Sequence, residues 1–264
     1  MKTNMKAIIL AAGQGTRLKK YTENLPKGML EFNGMTIIER QIMMYRRCGI
    51  EDIIIVTGYA ADKINYRNVK YYKNEDYANT NMVESLMTAK TEFTEDIIVS
   101  YSDILFEEKM LRRMIDATGN YLVAVDKNWR IYWEARYGKV DFDTESLSLD
   151  DNNDIIELGK ENPELDDIDA RYIGLLKFSR SGLDTIQSIL NRDREEYMDK
   201  PWKQSGKTIR KAYMTDLLQA IIESGNKVHA ELFDNGWIEF DTNEDYEKAC
   251  QWVDEGSIKN FIDL

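Results

Sequence analysis

Short apolar runs alternate with amphipathic stretches through the first half of the chain. Residues 7–12, 53–57, 69–72, 97–101 and 121–125 are brief, rich in β-branched and aromatic side chains, and read as strands. The stretches between them carry helix signals. Thr36 and Glu39 form a capping-box pair, Ile38, Ile42 and Tyr45 recur at helical spacing, and Gly49 after Arg46, Arg47 and Cys48 marks a stop. Asn81, with Glu84 three residues on, caps a second helix that is expected to reach Lys90. This alternation predicts right-handed βαβ units and a Rossmann-like α/β fold, a mainly parallel mixed sheet flanked by helices. From about Asp126 the periodicity loosens into aromatic and acidic stretches, and 150–154 and 161–169 read as charged loops of a small substrate-side lobe. Strand 172–178, helices 181–190 and 214–224, strands 227–233 and 237–240, and helix 243–253 close the chain. No internal repeat or low-complexity linker interrupts it, so residues 1–264 are expected to form a single domain.

Composition narrows the partners. The sequence has 264 residues, 43% of them hydrophobic, enough to fill the core of one large α/β domain. A formal net charge of −12 leaves no basic stripe to neutralise a run of phosphates, which argues against nucleic acid as a partner. Two distant cysteines, Cys48 and Cys250, and one histidine, His229, provide neither a zinc site nor a histidine relay, and a reducing cytoplasm is expected. The apolar run at 7–12 is too short to cross a bilayer, and it leads directly into Gly13-Gln14-Gly15-Thr16-Arg17, so it reads as a buried strand and no membrane partner is expected.

That junction is the first chemical signal. A glycine loop at the carboxyl end of a strand lets backbone amides face an anion without side chains in the way. A dinucleotide turn needs a third glycine where Leu18 stands, and a Walker-type loop needs Gly-Lys-Ser or Gly-Lys-Thr, which is missing. What remains is the loop, then Arg17, a planar fork suited to triphosphate oxygens, and Lys27 after Pro26, a compact charge for the phosphorus under attack. Singly, each is a turn glycine or a solvated cation; together, directly after a buried strand, they mark a site.

The run Leu10-Ala11-Ala12-Gly13-Gln14-Gly15-Thr16-Arg17 with Pro26-Lys27 resembles the signature of the sugar-phosphate and choline-phosphate nucleotidyltransferase superfamily. The segments 76–86, 101–106, 126–129, 133–136, 172–175 and 237–241 are similar to its branch of phosphocholine and phosphonate cytidylyltransferases. Gly28 after the lysine and Phe240 in the final motif depart from the usual pattern. The resemblance implies transfer of CMP from CTP to a small phosphate- or phosphonate-bearing acceptor with release of pyrophosphate and magnesium as cofactor. Residues 1–125 are then the nucleotide-binding half, and 126–264 the half that binds acceptor and completes the metal site. It implies a nucleotide site from Leu10, Ala11, Ala12, Gly13, Gln14, Gly15, Thr16, Arg17, Lys27, Asn81, Ser85 and Asp103, with Asn81 equally readable as a helix cap.

Asp103 follows a predicted strand at the edge where such sheets gather ligands, and Glu239 and Asp241, two apart on a strand, share a face. Asp103 and Asp241 are the expected magnesium ligands, with Glu239 as a third ligand or outer support. Lys27, Arg17, Asp103 and Asp241 are the expected catalytic groups. For the acceptor, Trp129, Trp133, Arg136, Tyr172, Trp237 and Glu239 are candidates. The rings of Trp129, Tyr132, Trp133, Tyr137, Trp202 and Trp237 can be read either as a cage for a cationic head group or as ordinary core. Arg136, Lys160, Arg171 and Lys177 are candidate anchors for an acceptor phosphate or carboxylate. A sugar-1-phosphate nucleotidyltransferase and an inactive nucleotide-sensing module remain as alternatives. A homo-oligomer is compatible with the sequence.

Overall fold

A computed structural model describes residues 3–264. The central sheet has seven strands in the order His229–Phe233, Tyr121–Asp126, Arg171–Phe178, Ile97–Tyr101, Lys6–Ala11, Asp52–Thr57 and Lys70–Lys73. Arg171–Phe178 runs antiparallel to both neighbours, and the other pairs are parallel. The sheet is therefore mixed and mainly parallel, as the strand–helix alternation predicts. Lys6–Ala11 lies inside it, its Leu10 level with Val56 on one side and Tyr101 on the other.

Period-two alternation explains why this strand is apolar throughout. Ala7, Ile9 and Ala11 enter one core, beneath helices Ile37–Arg47, Glu108–Asp116 and Trp129–Tyr137, whereas Ile8 and Leu10 enter the other, beneath Met82–Thr88, Arg180–Asp193 and Met214–Glu223. A strand covered on both faces needs no polar side. Both helices start where the sequence puts them, but the expected capping boxes do not close: neither Glu39 nor Glu84 reaches back to the cap's backbone, and Glu84 pairs with Arg194 instead. The Thr36 hydroxyl accepts from Glu39 N at 3.2 Å, and the Asn81 side chain accepts from Met82 N at 2.9 Å. The second of these helices stops at Thr88, short of the expected Lys90, and a separate 3-10 turn at Lys90–Glu92 follows Ala89.

The region after Asp126 is more regular than its composition suggests. Trp129–Tyr137 is a helix, and Glu145–Leu149 pairs antiparallel with Ile155–Glu161 as a hairpin packed beside Met214–Glu223. The expected loop at 150–154 is the hairpin's turn, where the Asp150 carboxylate accepts from Asn152 N and Asp154 N, both at 2.8 Å. The final helix, Asn243–Glu255, begins with a capping box in which Thr242 Oγ1 accepts from Asp245 N at 3.2 Å. Among the described residues no helix is long and apolar enough to cross a membrane.

Candidate active site

The loop after Ala11 turns through Gly15 at φ +63° into a short 3-10 turn, Thr16–Leu18. A Cβ on Gly15 would lie 2.5 Å from Lys27 Cγ, so glycine supplies both the left-handed backbone and the space in which the lysine crosses the loop. Gly28, the departure after Pro26-Lys27, has a packing reason: a Cβ there would lie 2.6 Å from Ile38 Cδ1 and 2.9 Å from Ser102 Cβ. The turn Lys27–Met29 can thus press against the core helix and the segment that carries Asp103.

Four charged side chains meet over this loop. Lys27 Nζ donates to Asp103 Oδ2 at 3.1 Å and is paired with Asp241 Oδ1, while Arg17 Nη2 is paired with Asp241 Oδ2 and Arg17 Nη1 lies 3.8 Å from Asp143. The Arg17 side chain is 60% exposed, against 15% for Lys27, so the arginine is the solvent-facing member beside a largely buried pair. Burial works against the Lys27 charge, but Asp103 and Asp241 outweigh it and hold the ammonium pKa above its ordinary value. Burial likewise opposes the Asp241 carboxylate, and Lys27, Arg17 and Arg136 overcome it and hold its pKa low.

Neighbouring backbone fixes both carboxylates. Gln41 Nε2 donates to Tyr101 O at 2.8 Å and to Ile104 O at 2.7 Å, and its own oxygen accepts from Ser100 Oγ at 2.9 Å, so a buried amide clamps the bend that carries Asp103. Phe240 N donates to Asp103 O at 2.9 Å, tying the two acidic segments together. Asp245 Oδ2 accepts from Asp241 N at 3.1 Å and Thr242 N at 2.8 Å, and Asp245 is itself gripped by Arg136 Nε at 2.7 Å and Nη2 at 2.8 Å.

Two cavities open on either side of the cluster. Leu10, Ala12, Gly13, Gly15, Thr16, Arg17, Lys27, Asn81, Ser85 and Asp103, all anticipated, line the first, of about 250 Å³. Tyr77, Thr80, Met82, Tyr101 and Ser102 line it too and were not singled out, although the segment 76–86 carried the family signal. Ala11 instead points into the core, and Gln14 is exposed and lines neither cavity. Asn81 both caps its helix and lines the first cavity.

The second cavity, of about 580 Å³, shares Thr16, Arg17, Met82, Tyr101 and Asp103 with the first and is bounded by Tyr172, Glu239 and Asp241. It also takes in Asp143, Glu145, Glu161, Arg171, Tyr213 and Thr215. Apart from Arg171, these residues had no spacing signal, because they converge from separate strands and loops.

Several acceptor candidates lie elsewhere. Trp129 and Trp133 are fully buried, Trp237 is 1% exposed, and Trp202 belongs to the opposite core, so no tryptophan faces either cavity. The rings do meet cations, but internal ones: the Arg136 guanidinium lies 5.2 Å from Trp133 and 4.7 Å from Tyr137, and that of Arg171 lies 4.5 Å from Trp133. Arg136 is 2% exposed and engaged by Asp245 and Glu239, so it is a structural cation, not a free acceptor anchor. Lys177 donates to the carbonyls of Ile115 at 2.8 Å and Ala117 at 2.6 Å, closing the end of a helix, and Lys160 is exposed away from both cavities.

Two carboxylates, not the expected three, are placed to hold a divalent ion: among the described residues no group of three His, Cys, Asp or Glu side chains is so arranged. Asp103 and Asp241 converge on one point, now held by Lys27 Nζ, and magnesium takes one or two carboxylates while phosphate oxygens and water complete its shell. Glu239 is less available than expected, since its Oε1 is committed to Arg136.

Comparison with known proteins identifies the family of the chain. The model of the MobA-like NTP transferase domain matches residues 7–193. The chain is 36% identical over 254 residues to the CTP:phosphoglutamine cytidylyltransferase of Campylobacter jejuni, covering 92% of this chain and 98% of that protein. It is 34% identical over 150 residues to the choline-phosphate cytidylyltransferase of Streptococcus pneumoniae, covering 55% of this chain and 64% of that one. A solved structure of the CTP:phosphocholine cytidylyltransferase of Streptococcus pneumoniae superimposes with a TM-score of 0.74 at 25% identity, over 95% of this chain and all of that one. A family match that begins in the first strand and takes in the glycine loop, Lys27 and Asp103 leaves one conclusion: the chain belongs to the MobA-like NTP transferase family.

Proposed function

We propose that this chain transfers CMP from CTP to a small acceptor bearing a phosphate or phosphonate, with release of pyrophosphate. The observation that carries the reading is the position of Lys27, Arg17, Asp103 and Asp241 at the seam between two cavities, where a donor and an acceptor can meet. An acceptor oxygen, already ionised near neutral pH, attacks the α-phosphorus in line; the new P–O bond forms as the bond to the β-phosphate breaks, and no protein base is required. In this reading Lys27 meets the charge that builds on the α-phosphate and the more exposed Arg17 meets the outer phosphates. Positioning and preorganised charge supply the rate. Asp103 and Asp241 would hold magnesium, with Glu239 in support, and the ion would neutralise phosphate oxygens.

Residues 1–264 act in this reading as one domain, 1–125 binding nucleotide and 126–264 binding acceptor; the interleaving of strands from both halves in one sheet supports it. Two unpaired cysteines, one buried, suit the reducing cytoplasm.

Pyrophosphate release, measured for four NTPs against phosphocholine, aminoethylphosphonate, a phosphorylated amino acid amide and glucose-1-phosphate, tests the proposal. Release with CTP and a phosphorylated or phosphonate amine is expected. Release confined to glucose-1-phosphate, or none in any combination, overturns it.

A further inference from the structure

The wall of the first cavity contains a hydroxyl whose hydrogen the chain does not use. Ser85, on the helix Met82–Thr88, lines this cavity together with Thr80. That helix covers the Ile8 and Leu10 face of the first strand, whereas the turn carrying Lys27 presses on Ile38 in the opposite core, so Ser85 and Lys27 enter from opposite faces of the sheet. Behind Ser85 stands Asn74, just past the strand Lys70–Lys73, 6% exposed and outside the cavity lining. Its backbone N donates to Thr57 O at 2.8 Å. Its Oδ1 accepts from Asp76 N at 3.1 Å, and a backbone N–H can only donate, which fixes the orientation of the amide. Nδ2 therefore faces the two hydroxyls, donating to Thr80 Oγ1 at 2.9 Å and to Ser85 Oγ at 3.1 Å. Thr80 passes its own hydrogen to Asp76 O at 2.8 Å. The Ser85 hydroxyl, by contrast, finds no acceptor among the described residues, although the residue is only 5% exposed. A buried donor without a partner is costly, so Ser85 is set to donate to a ligand.

We propose that Asn74 is a positioning residue that sets the choice of base: by holding Ser85 as a donor, it favours cytosine, whose ring nitrogen N3 accepts, over uracil, whose N3 carries a hydrogen. The inference rests on the cytidylyl-transfer reading and gives its choice of nucleotide a physical cause. A nucleotide with its phosphates at Lys27 turns its base toward Ser85, across the end of the first strand. Cytosine N3 takes the free Ser85 hydrogen. Uracil brings a second hydrogen to the same place, and one of the two is left buried without an acceptor. Thr80 cannot relieve this, because its hydrogen is already bound to Asp76 O. Asn74 touches no part of the nucleotide and acts only through Ser85. In Asn74→Asp, of the same shape, a carboxylate oxygen replaces Nδ2 and accepts the Ser85 hydrogen, leaving only lone pairs for the base, an arrangement suited to uracil.

Dissociation constants test this, measured by calorimetry with magnesium for CTP, UTP and 3-deaza-CTP, in which a C–H group replaces N3. The proteins are the wild type, Asn74→Asp, Ser85→Ala and the double variant. The wild type is expected to bind CTP about tenfold more tightly than either UTP or 3-deaza-CTP, the discrimination of one buried donor left unpaired. Asn74→Asp should bring the ratio of UTP to CTP dissociation constants to one or below. Ser85→Ala should also lower it, and in that background Asn74→Asp should change it no further. A merely structural role for Asn74 would weaken both nucleotides alike and leave the ratio in place. A wild type that binds UTP or 3-deaza-CTP as tightly as CTP overturns the inference. So does a ratio unchanged in Asn74→Asp or in Ser85→Ala, or an Asn74→Asp effect that persists without Ser85. A wild type that binds neither CTP nor UTP removes the parent reading instead. If Asn74→Asp fails to fold, the wild-type comparison with 3-deaza-CTP and Ser85→Ala still decide.

Discussion

At the scale of single residues, the proposed transfer depends on Lys27 being charged, buried and correctly aimed. Gly15 gives it passage, and Asp103 and Asp241 hold it before any phosphate arrives. Lys27→Ala is expected to lower kcat by about 10²–10³-fold while KM for CTP changes only several-fold, because the charge is needed most as the transition state develops. Steady-state kinetics with pyrophosphate detection would show this, and an unchanged kcat would remove the role. The pH dependence follows from the shifts. Lys27 is raised, so its stabilising contribution is complete below an unfolded pKa of about 10.4 and is lost only as pH climbs through the higher folded value. Asp241 is lowered, so its contribution is complete above about pH 3.9 and is lost as pH falls through the lower folded value. The difference in thermal stability between wild type and Asp241→Asn should therefore stay flat from about pH 5 to 9 and shrink in stronger acid. A gap that closes between pH 6 and 8 would contradict the pairing. Most of these residues were legible in the sequence, since a glycine loop, an arginine and a lysine close behind one strand form a local motif. Gln41 was not legible: its role, clamping the carbonyls of Tyr101 and Ile104, depends on a contact across about sixty positions of chain.

At the scale of elements, the helix Trp129–Tyr137 decides how the second half of the chain is read. Trp129, Tyr132, Trp133 and Arg136 fall at positions i, i+3, i+4 and i+7, the spacing of a core-facing helical stripe. Their aromatic character invites a binding-pocket reading instead, and the outcome shows that periodicity outweighed side-chain type. The stripe buries an arginine along with its rings. Arg136, 2% exposed, joins this helix to the capping box of Asn243–Glu255 through Asp245, and that box holds the backbone of Asp241. Arg136→Met should cost about 3–5 kcal/mol, the consequence of leaving Asp245 buried without its partner. Urea denaturation measures it, and a loss below ~1 kcal/mol would show that the pair does not hold the two helices together.

At the scale of the whole molecule, a mainly parallel sheet with helices on both faces brings the ends of its central strands to one edge, where ligands gather in such folds. The sheet could be anticipated because its strands are apolar on both faces and alternate with capped helices. The second cavity could not, because Glu145, Glu161, Arg171 and Tyr213 come together only through the hairpin and the antiparallel strand. No local pattern encodes that convergence. The most direct test of the central claim is a crystal structure of the chain with CTP and magnesium. The triphosphate is expected in the first cavity, with Lys27 at the α-phosphate, Arg17 on the outer phosphates, and the ion between Asp103 and Asp241. A nucleotide bound with those four side chains turned away from it would contradict the assignment.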